Sequence, residues 1–303
     1  MFKTTRATVR LESGDTFVSK WNRKMITVVR SLGEGANGCV YLVRIPDKPS
    51  HCALKLGNDS FALQSEMNAL EAAGGGDTAL LFSDDAVIGG ITVPFYVMNF
   101  IPGISLGKLI AESNSAPLSR EQISLIGESL LMRLQALHGK GWAFGDLKPD
   151  NVVIGDNGQA QLVDFGGATV FGESVKQMTE LYDRGFWKAG TRRSEATYDL
   201  FAFAVIIMEC GGLGAKLRSA AASPKRKLSA LQELVHESKT LISAAFVLKR
   251  LLCSEYASVD EVLRDWKAAM KPQRFTFAKQ ALPLLWFAGA CVSFAFVLWR
   301  TTS

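Results

Sequence analysis

The sequence predicts an α+β protein of two lobes, followed by one C-terminal transmembrane helix. Strand-like apolar stretches dominate the first lobe, helical spacing of apolar residues dominates the second, and an uncharged apolar run ends the sequence. An N-terminal extension is predicted at residues 1–25, a strand-rich lobe at about 26–100 and a mostly helical lobe at about 104–270. A basic juxtamembrane linker should follow at 271–280, and the transmembrane helix at 281–299.

The composition limits the class of protein. The chain has 303 residues, of which 48% are apolar, and this suffices for one large domain or two smaller ones. A formal charge of +5 is mild for this length and predicts no nucleic-acid partner. The five cysteines include no CxxC pair, so neither a zinc site nor a disulfide framework is expected, and a reducing compartment is indicated.

The first lobe is predicted to hold five strands and one main helix. Residues rich in β-branched and aromatic side chains predict the strands, and Gly74-Gly75-Gly76 is expected to end the helix. The predicted strands are 26–32, 39–45, 52–56, 79–82 and 91–100, with a helix at 61–72 between the third and the fourth. Residues 1–25 are polar and mixed and carry no strong signal.

The second lobe is predicted to be mostly helical. Ser119 and Gln122 form a capping-box pattern that should open a helix running to about His138. A β-hairpin is expected from 152–154 to 161–163, and residues 200–210 are apolar all round, as in a buried central helix. The basic, small-residue stretch 211–226 is expected to be a surface loop, and two or three helices should follow over 226–270.

The C-terminal apolar run predicts a membrane anchor. Residues 281–299 contain no charge and would reach about 28 Å as a helix, close to the ~30 Å of a hydrocarbon core. Basic residues concentrate before the run, which keeps residues 1–280 in the cytoplasm by the positive-inside rule. We therefore expect a single-pass, tail-anchored protein in contact with membrane lipid. Ala288-Gly289-Ala290 offers small residues for helix packing in a homodimer.

A glycine-rich loop lies between the first two predicted strands. Gly33, Gly35, Gly38 and Val40 fit the pattern GxGxxGxV, whose backbone N–H groups can approach phosphates without side-chain clash. The pattern alone is also compatible with an ordinary hairpin. A dinucleotide site would require a helix directly after the loop, whereas the residues that follow predict a strand.

The third predicted strand contains a lysine, Lys55, in Ala53-Leu54-Lys55-Leu56. An interior lysine is costly unless it is paired with an acid. The helix at 61–72 can supply that acid. Glu66 is our first choice and Glu71 is the alternative.

Two short stretches about thirteen residues apart concentrate polar chemistry. Gly145-Asp146-Leu147-Lys148-Pro149-Asp150-Asn151 brings an acid, a lysine and an amide into one tight loop, and Asp164-Phe165-Gly166 adds a further acid beside a glycine. Phosphoryl transfer needs a carboxylate to orient a hydroxyl and oxygen ligands for Mg²⁺. The two stretches together favour this reaction.

The order of these motifs resembles the eukaryotic-type (Hanks-type) serine/threonine protein kinases over residues 26–270. The resemblance implies the two-lobed protein-kinase fold, ATP and Mg²⁺ as cofactors, and phosphoryl transfer to serine or threonine hydroxyls of a protein substrate. The compact lobes resemble bacterial members of the family. The anchor would make this a membrane-bound kinase with its catalytic domain in the cytoplasm.

The resemblance also implies which residues bind the nucleotide. The glycine loop would cover the phosphates, the lysine would hold the α- and β-phosphates, and the backbone of the hinge strand would meet adenine, with Met98 as gatekeeper. The implied residues are Gly33, Gly35, Gly38, Val40, Lys55, Glu66, Asn99 and Ile101.

The catalytic and metal-binding roles follow from the same resemblance. Asp146 would accept or orient the proton of the substrate hydroxyl, and Lys148 would neutralise the γ-phosphoryl group. Asn151 and Asp164 would ligate Mg²⁺. Asp199 resembles the structural aspartate that braces the catalytic loop from below.

Three departures from the family pattern concern regulation. Gly145 stands where an arginine usually precedes the catalytic aspartate, so a phosphate on the activation loop would have no guanidinium partner there. We expect activity to be independent of phosphorylation at Thr169, Ser174, Thr179 and Thr191. The usual Ala-Pro-Glu is missing near Phe186 and Trp187, and its arginine partner is missing near Tyr256. An apolar contact is expected to replace that ion pair.

Two other functions remain open from the sequence. Gly145-Asp146 also resembles small-molecule phosphotransferases that share the fold, such as aminoglycoside kinases. A pseudokinase acting as an ATP-binding scaffold is the third reading. Retention of Lys55, Asp146, Asn151 and Asp164 argues against it, because a scaffold needs none of them.

Overall fold

The computed structural model describes residues 9–35, 38–74, 79–114, 116–224 and 226–271. The chain divides into two compact units, Met1–Met270 and Lys271–Ser303. All described residues except Lys271 belong to the first unit. The predicted transmembrane helix and most of the predicted linker lie outside the described residues.

The N-terminal part is a twisted antiparallel sheet of six strands, in the spatial order β1-β2-β3-β4-β6-β5. The strands are β1 (Thr16–Val18), β2 (Met25–Gly35), β3 (Gly38–Arg44), β4 (Cys52–Gly57), β5 (Leu80–Ile88) and β6 (Ile91–Asn99). Helix α1 (Ser60–Ala72) follows β4, and the side chain of Asp59 caps it by accepting hydrogen bonds from Phe61 N and Ala62 N.

The prediction of a five-stranded lobe was wrong by one strand. Residues 16–18 pair with β2 as an edge strand, although their polar composition gave no strand signal. Phe17 contributes the apolar side chain that packs under the sheet, at 5.7 Å from the ring of Phe95. The following turn is fixed by Asp84, whose carboxylate accepts hydrogen bonds from the backbone of Trp21 and Asn22.

The C-terminal part is mostly helical, as predicted. Its helices are α2 (Leu106–Glu112), α3 (Arg120–His138), α4 (Ala196–Met208), α5 (Gly214–Ala222), α6 (Leu228–Leu234), α7 (Ala245–Leu252) and α8 (Val259–Met270). Five short strands support the loops between them: β7 (Ile104–Ser105), β8 (Trp142–Ala143), β9 (Val152–Ile154), β10 (Ala160–Leu162) and β11 (Thr169–Val170). The capping box at Ser119 and Gln122 is present at the start of α3.

Helix α4 is the central helix of this lobe. Every residue from Tyr198 to Met208 is buried. In the described residues, the stretch Ala196–Ala222 is apolar and long enough to cross a membrane, but 78% of its most apolar window is buried inside the protein. The prediction of a buried central helix is therefore confirmed.

Residues 211–226 do not form the predicted surface loop. The chain leaves α4 through a widened turn at Glu209–Leu213, in which Gly212 takes a positive φ of 82°, and continues directly as α5. Leu217 is fully buried on the inner face of α5, while the basic side chains point outward. Alanine, lysine, leucine and arginine, which make up most of α5, are good helix formers, so composition alone misidentified this segment.

The packing of α3 against α8 depends on one glycine. A Cβ on Gly127 would lie 2.4 Å from Cζ2 of Trp266, whose indole is fully buried. The indole N–H donates to the carbonyl of Ser124, also on α3, at 3.2 Å. Trp266 therefore sits in a space that only glycine leaves open.

We predict that Gly127→Ala lowers the free energy of unfolding by about 1–3 kcal/mol, because overpacking must displace the indole. Urea denaturation followed by tryptophan fluorescence measures it. Gly139→Ala is the matched control: Gly139 also has helical backbone angles, and its nearest contact would be the Gln135 carbonyl oxygen at 3.2 Å. Equal stability of the two variants would contradict the packing argument.

Candidate active site

Lys55 is the buried lysine of β4, and it contacts two acids from different parts of the chain. Its Nζ lies 2.5 Å from Oε1 of Glu66 on α1 and 2.8 Å from Oδ1 of Asp164. The predicted pairing with Glu66 is thus present, while Glu71 is exposed to solvent. The hydroxyl of Tyr96 donates a second hydrogen bond to Glu66 Oε1 at 3.0 Å.

This cluster carries an excess of negative charge. Two carboxylates share one ammonium group, so the net charge is −1 when all three are ionised. Burial would lower the pKa of Lys55, but Glu66 and Asp164 raise it above its ordinary value. Burial would raise the pKa of Asp164, but Lys55 and the N–H of Gly166 hold it below its ordinary value. The cluster therefore keeps an ionised carboxylate ready for a cation.

The glycine loop joins β2 to β3 beside this cluster. Gly38 has a φ of 142°, and a Cβ there would lie 1.8 Å from the carbonyl oxygen of Leu56, so no other residue fits. A Cβ on Gly33 or Gly35 would meet nothing within 4 Å, so this side of the loop is open to a ligand. Val40 lies opposite Lys55 in the β3–β4 ladder. The tip of the loop, residues 36–37, lies outside the described residues.

The predicted hinge follows the end of β6. Met98 is buried and pairs with Ala53 across the sheet. The N–H of Asn99 donates to the carbonyl of Ala79, so a contact from Asn99 to a base would have to use its carbonyl. Ile101 follows two residues after the last residue of β6 and is half-buried. Both residues lie at the strand end that continues into the second lobe.

The second polar stretch forms a tight loop around Asp146. Lys148 Nζ lies 2.5 Å from its Oδ2, and the amide of Asn151 donates to its backbone carbonyl at 2.9 Å and to Oδ2 at 3.3 Å. The hydroxyl of Thr179, far along the chain, donates to the other oxygen, Oδ1, at 2.9 Å. The carboxylate is therefore held in one orientation from three directions.

Asp199 holds the loop from below, as the resemblance implied. Its carboxylate is completely buried at the start of α4 and accepts hydrogen bonds from the N–H groups of Phe144 and Gly145, at 2.7 and 2.9 Å. His138 Nε2 lies 2.8 Å from the same carboxylate. Gly145 has a φ of 82°, and a Cβ there would lie 2.4 Å from the carbonyl oxygen of Gly167. An arginine in this position would be strained in this backbone.

Comparison with known proteins identifies the family. Residues 86–262 match the protein kinase domain. The chain is 36% identical over 280 residues to the serine/threonine-protein kinase YabT of Bacillus subtilis, which covers 87% of this chain and 78% of YabT. This chain belongs to the protein kinase family. The predicted kinase fold and its assignment to the serine/threonine protein kinases are confirmed.

Two further bacterial kinases are similar to this one. Serine/threonine-protein kinase D of Synechocystis is 28% identical over 210 residues, which cover 60% of this chain and 39% of that protein. The crystal structure of the Mycobacterium tuberculosis PknI kinase domain gives a TM-score of 0.59 at 25% identity, covering 86% of this chain and 100% of that domain. These relatives agree with the bacterial type expected from the compact lobes.

The activation segment of this kinase is held by ion pairs that the sequence analysis missed. The buried carboxylate of Asp183 pairs with Arg192 at 2.7 Å, and the buried guanidinium of Arg184 pairs with Glu195 at 2.5 Å. Arg184 also donates to the carbonyl of Thr191 at 2.6 Å. The charges come from Asp183-Arg184 and from residues 192–195, which are adjacent only after the segment folds back on itself.

An apolar contact was predicted to replace the ion pair between the missing Ala-Pro-Glu glutamate and its arginine, and the structure shows other contacts at these positions. Trp187 is fully buried, and its indole N–H donates to the carbonyl of Leu181 at 2.8 Å. Tyr256 is also buried, but it is held by the guanidinium of Arg250 over its ring and by a hydrogen bond to Asp265 at 2.8 Å. Among the described residues, Trp187 and Tyr256 therefore each contact partners that lie close to them in the chain.

Two of the four candidate phosphorylation sites already have internal partners. Thr169 is fully buried and donates to the carbonyl of Gly167, and Thr179 donates to Asp146. Ser174 and Thr191 are exposed. The role of Thr179 was missed because its hydroxyl is 33 residues from its partner. No local pattern in the sequence relates these two residues.

We predict that Thr179→Ala lowers kcat by roughly ten- to a hundredfold, because the Asp146 carboxylate loses a fixed orientation. Thr179→Ser keeps the hydroxyl and should restore most of the rate. Steady-state assays with ATP and a protein substrate measure both. An effect on the KM for ATP alone, or a serine variant as slow as the alanine variant, would contradict this role.

The double variant Ser174→Ala, Thr191→Ala is the control for phosphorylation. Both side chains are exposed, and the segment is held by ion pairs that need no phosphate. Its kcat should match that of the unaltered kinase. A loss of more than about tenfold, or 1.4 kcal/mol of barrier, would show that activation depends on loop phosphorylation.

Proposed function

We propose that this kinase transfers the γ-phosphoryl group of ATP, with Mg²⁺, to serine or threonine hydroxyls of proteins. One observation carries the proposal: the Lys55 cluster and the Asp146 loop are both fully assembled within one unit. Lys55, Glu66 and Asp164 form one cluster, and Asp146 is held by three partners. A site that had lost its activity would have no reason to keep both sets aligned.

The donor atoms suit ATP and Mg²⁺. Asn151 uses its amide N–H₂ on Asp146, so its amide oxygen stays available as a metal ligand. Asp164 uses Oδ1 for Lys55 and for the N–H of Gly166, which leaves its Oδ2. A carboxylate and an amide oxygen are hard ligands that Mg²⁺ prefers. When bound, Mg²⁺ neutralises charge on the β- and γ-phosphates.

The protein's own groups would then position the reactants. Asp146 would accept a hydrogen bond from the attacking hydroxyl, because Thr179 and Lys148 fix the direction of its carboxylate. Lys148 has three donors, of which Asp146 uses one, and its side chain is about a quarter exposed. It can reach a developing negative charge beside Asp146. Lys55 would hold the phosphates that the glycine loop covers.

A protein substrate is favoured over a small molecule. The relatives are serine/threonine protein kinases by name, and Lys148 follows the catalytic aspartate as in that class. The ordered activation segment beside Asp146 supplies a surface on which an extended polypeptide could lie.

We also propose that the kinase is anchored in the membrane by residues 281–299, with the catalytic domain in the cytoplasm. The support is the uncharged length of this run and the basic residues that precede it. The anchor would bring membrane lipid into contact with the protein and would allow pairing of two copies through Ala288-Gly289-Ala290. Substrates would then be met at the cytoplasmic membrane surface.

The test of the reaction uses radiolabelled ATP with Mg²⁺ and a generic protein substrate. Asp146→Asn should abolish transfer, by at least about a thousandfold, while nucleotide binding persists. Asp164→Asn should reduce transfer and should, in addition, weaken Mg²⁺-dependent nucleotide binding. Label on a metabolite instead of on serine or threonine would favour the small-molecule alternative, and binding without any transfer would favour the pseudokinase.

The test of the anchor replaces Gly289 and Val292 with lysine, which should cost about 2.5–3.5 kcal/mol per charge at the centre of a bilayer. The variant should move from the membrane fraction to the soluble fraction. Replacement of the same two residues with leucine is the matched control and should stay in the membrane. A soluble unaltered protein, or a catalytic domain protected from protease added on the cytoplasmic side, would contradict the proposal.

A further inference from the structure

Two adjoining cavities open from the catalytic loop towards α5. The first has a volume of about 530 Å³ and lies between α2, the catalytic loop and the end of α4. The second has a volume of about 600 Å³ and includes Lys148 and Thr179, the two side chains that contact Asp146. Four residues line both cavities: Asp150, Tyr182, Glu209 and Arg218. The cavities therefore form one groove that begins at the catalytic carboxylate.

The shared wall of this groove is acidic. Glu209 is buried, and its Oε2 accepts a hydrogen bond from the hydroxyl of Tyr182 at 2.6 Å. Burial and the carboxylate of Glu209 raise the pKa of Tyr182, which keeps this hydroxyl protonated as the donor. Asp150 is exposed and adds a second carboxylate on the side of the catalytic loop.

Arg218 brings the only guanidinium to the described lining of this groove. It projects from α5, and its Nη1 lies 3.5 Å from Oε1 of Glu209. Its side chain is 63% exposed, so the pair contributes little to stability. Its main effect is on charge, because it offsets one of the two carboxylates on the wall that the cavities share. It occupies the place where a basic side chain of a substrate could pair with Glu209.

We infer that Arg218 is a specificity-determining residue that occupies this acidic groove and disfavours substrates with a basic residue at the matching position. A substrate arginine would have to displace Arg218 from Glu209 or lie beside a like charge, and both are unfavourable. Without Arg218, the groove would offer the carboxylates of Asp150, Glu180 and Glu209 to a basic side chain. The inference rests on the proposed function, since it concerns substrates of the same site.

The experiment measures kcat/KM for a series of peptides, each with one threonine and a single arginine at a different position around it. Each peptide is compared with a partner peptide that has glutamine in place of the arginine. In the unaltered kinase the arginine-to-glutamine ratio should stay at or below one throughout. In Arg218→Gln it should rise about tenfold at one position, equal to 1.4 kcal/mol, while the glutamine peptides keep their rates. Arg218→Lys keeps the charge and should behave like the unaltered kinase.

Two further variants make the result specific. Lys216→Gln removes the same charge from the same helix, but Lys216 pairs with Glu237 and lines neither cavity. It should leave every ratio unchanged. Adding Glu209→Gln to Arg218→Gln should cancel the gain, since the attracting carboxylate is then gone, while the amide oxygen can still accept from Tyr182.

The inference is overturned if the ratio stays unchanged in Arg218→Gln, rises at every position equally, or rises as much in Lys216→Gln. Each of these results leaves the proposed function intact, because the glutamine peptides are still phosphorylated. Failure of the unaltered kinase to label any peptide or itself would instead remove the proposed function, and the inference with it.

Discussion

The buried carboxylate of Asp199 is the contact on which the active site depends. A completely buried charge is tolerated only when its oxygens are fully hydrogen-bonded, and here Phe144, Gly145 and His138 supply the partners. Because Asp199 lies in the first turn of α4, the catalytic loop is tied directly to the buried central helix of the lobe. Phe144 then packs edge-on against Phe165, at 5.3 Å between ring centres, and extends the same support to Asp164.

The second constraint is the sharing of one ammonium group by two carboxylates. Lys55 comes from the sheet, Glu66 from helix α1, and Asp164 from the loop after β10, so the cluster joins both lobes. The side chains of Lys55 and Glu66 are buried, whereas that of Asp164 is 45% exposed. Removing one partner of a buried ion pair typically costs about 3–5 kcal/mol, which makes Lys55 and Glu66 mutually dependent. The surplus negative charge explains why this strong cluster remains suited to a cation.

We propose that this kinase does not depend on loop phosphorylation for its activity. Gly145 has a backbone conformation and a close contact to Gly167 that exclude an arginine. The segment is ordered instead by Asp183 with Arg192 and by Arg184 with Glu195, and one partner of each pair is buried. These ion pairs need no phosphate, so the segment can hold the arrangement around Thr179 without a covalent switch. The same folding brings Tyr182 to Glu209 and shapes the groove that Arg218 enters.

The sequence by itself determined the chemistry and most of the elements of this protein. The apolar spacing of α3 and α4 is strong, and the motif residues lie within short local stretches. The order of these motifs resembles the protein kinases, and that resemblance implied the roles of Lys55, Asp146, Asn151 and Asp164. Tertiary structure decided what depends on partners distant in the chain. The choice of Glu66 over Glu71, the bond from Thr179 to Asp146 and the ion pairs of the activation segment all join residues that local patterns cannot relate. Strand β1 and helix α5 were missed for the same reason: one apolar side chain in each, the partly buried Phe17 and the buried Leu217, stabilises a segment whose composition otherwise resembles a loop.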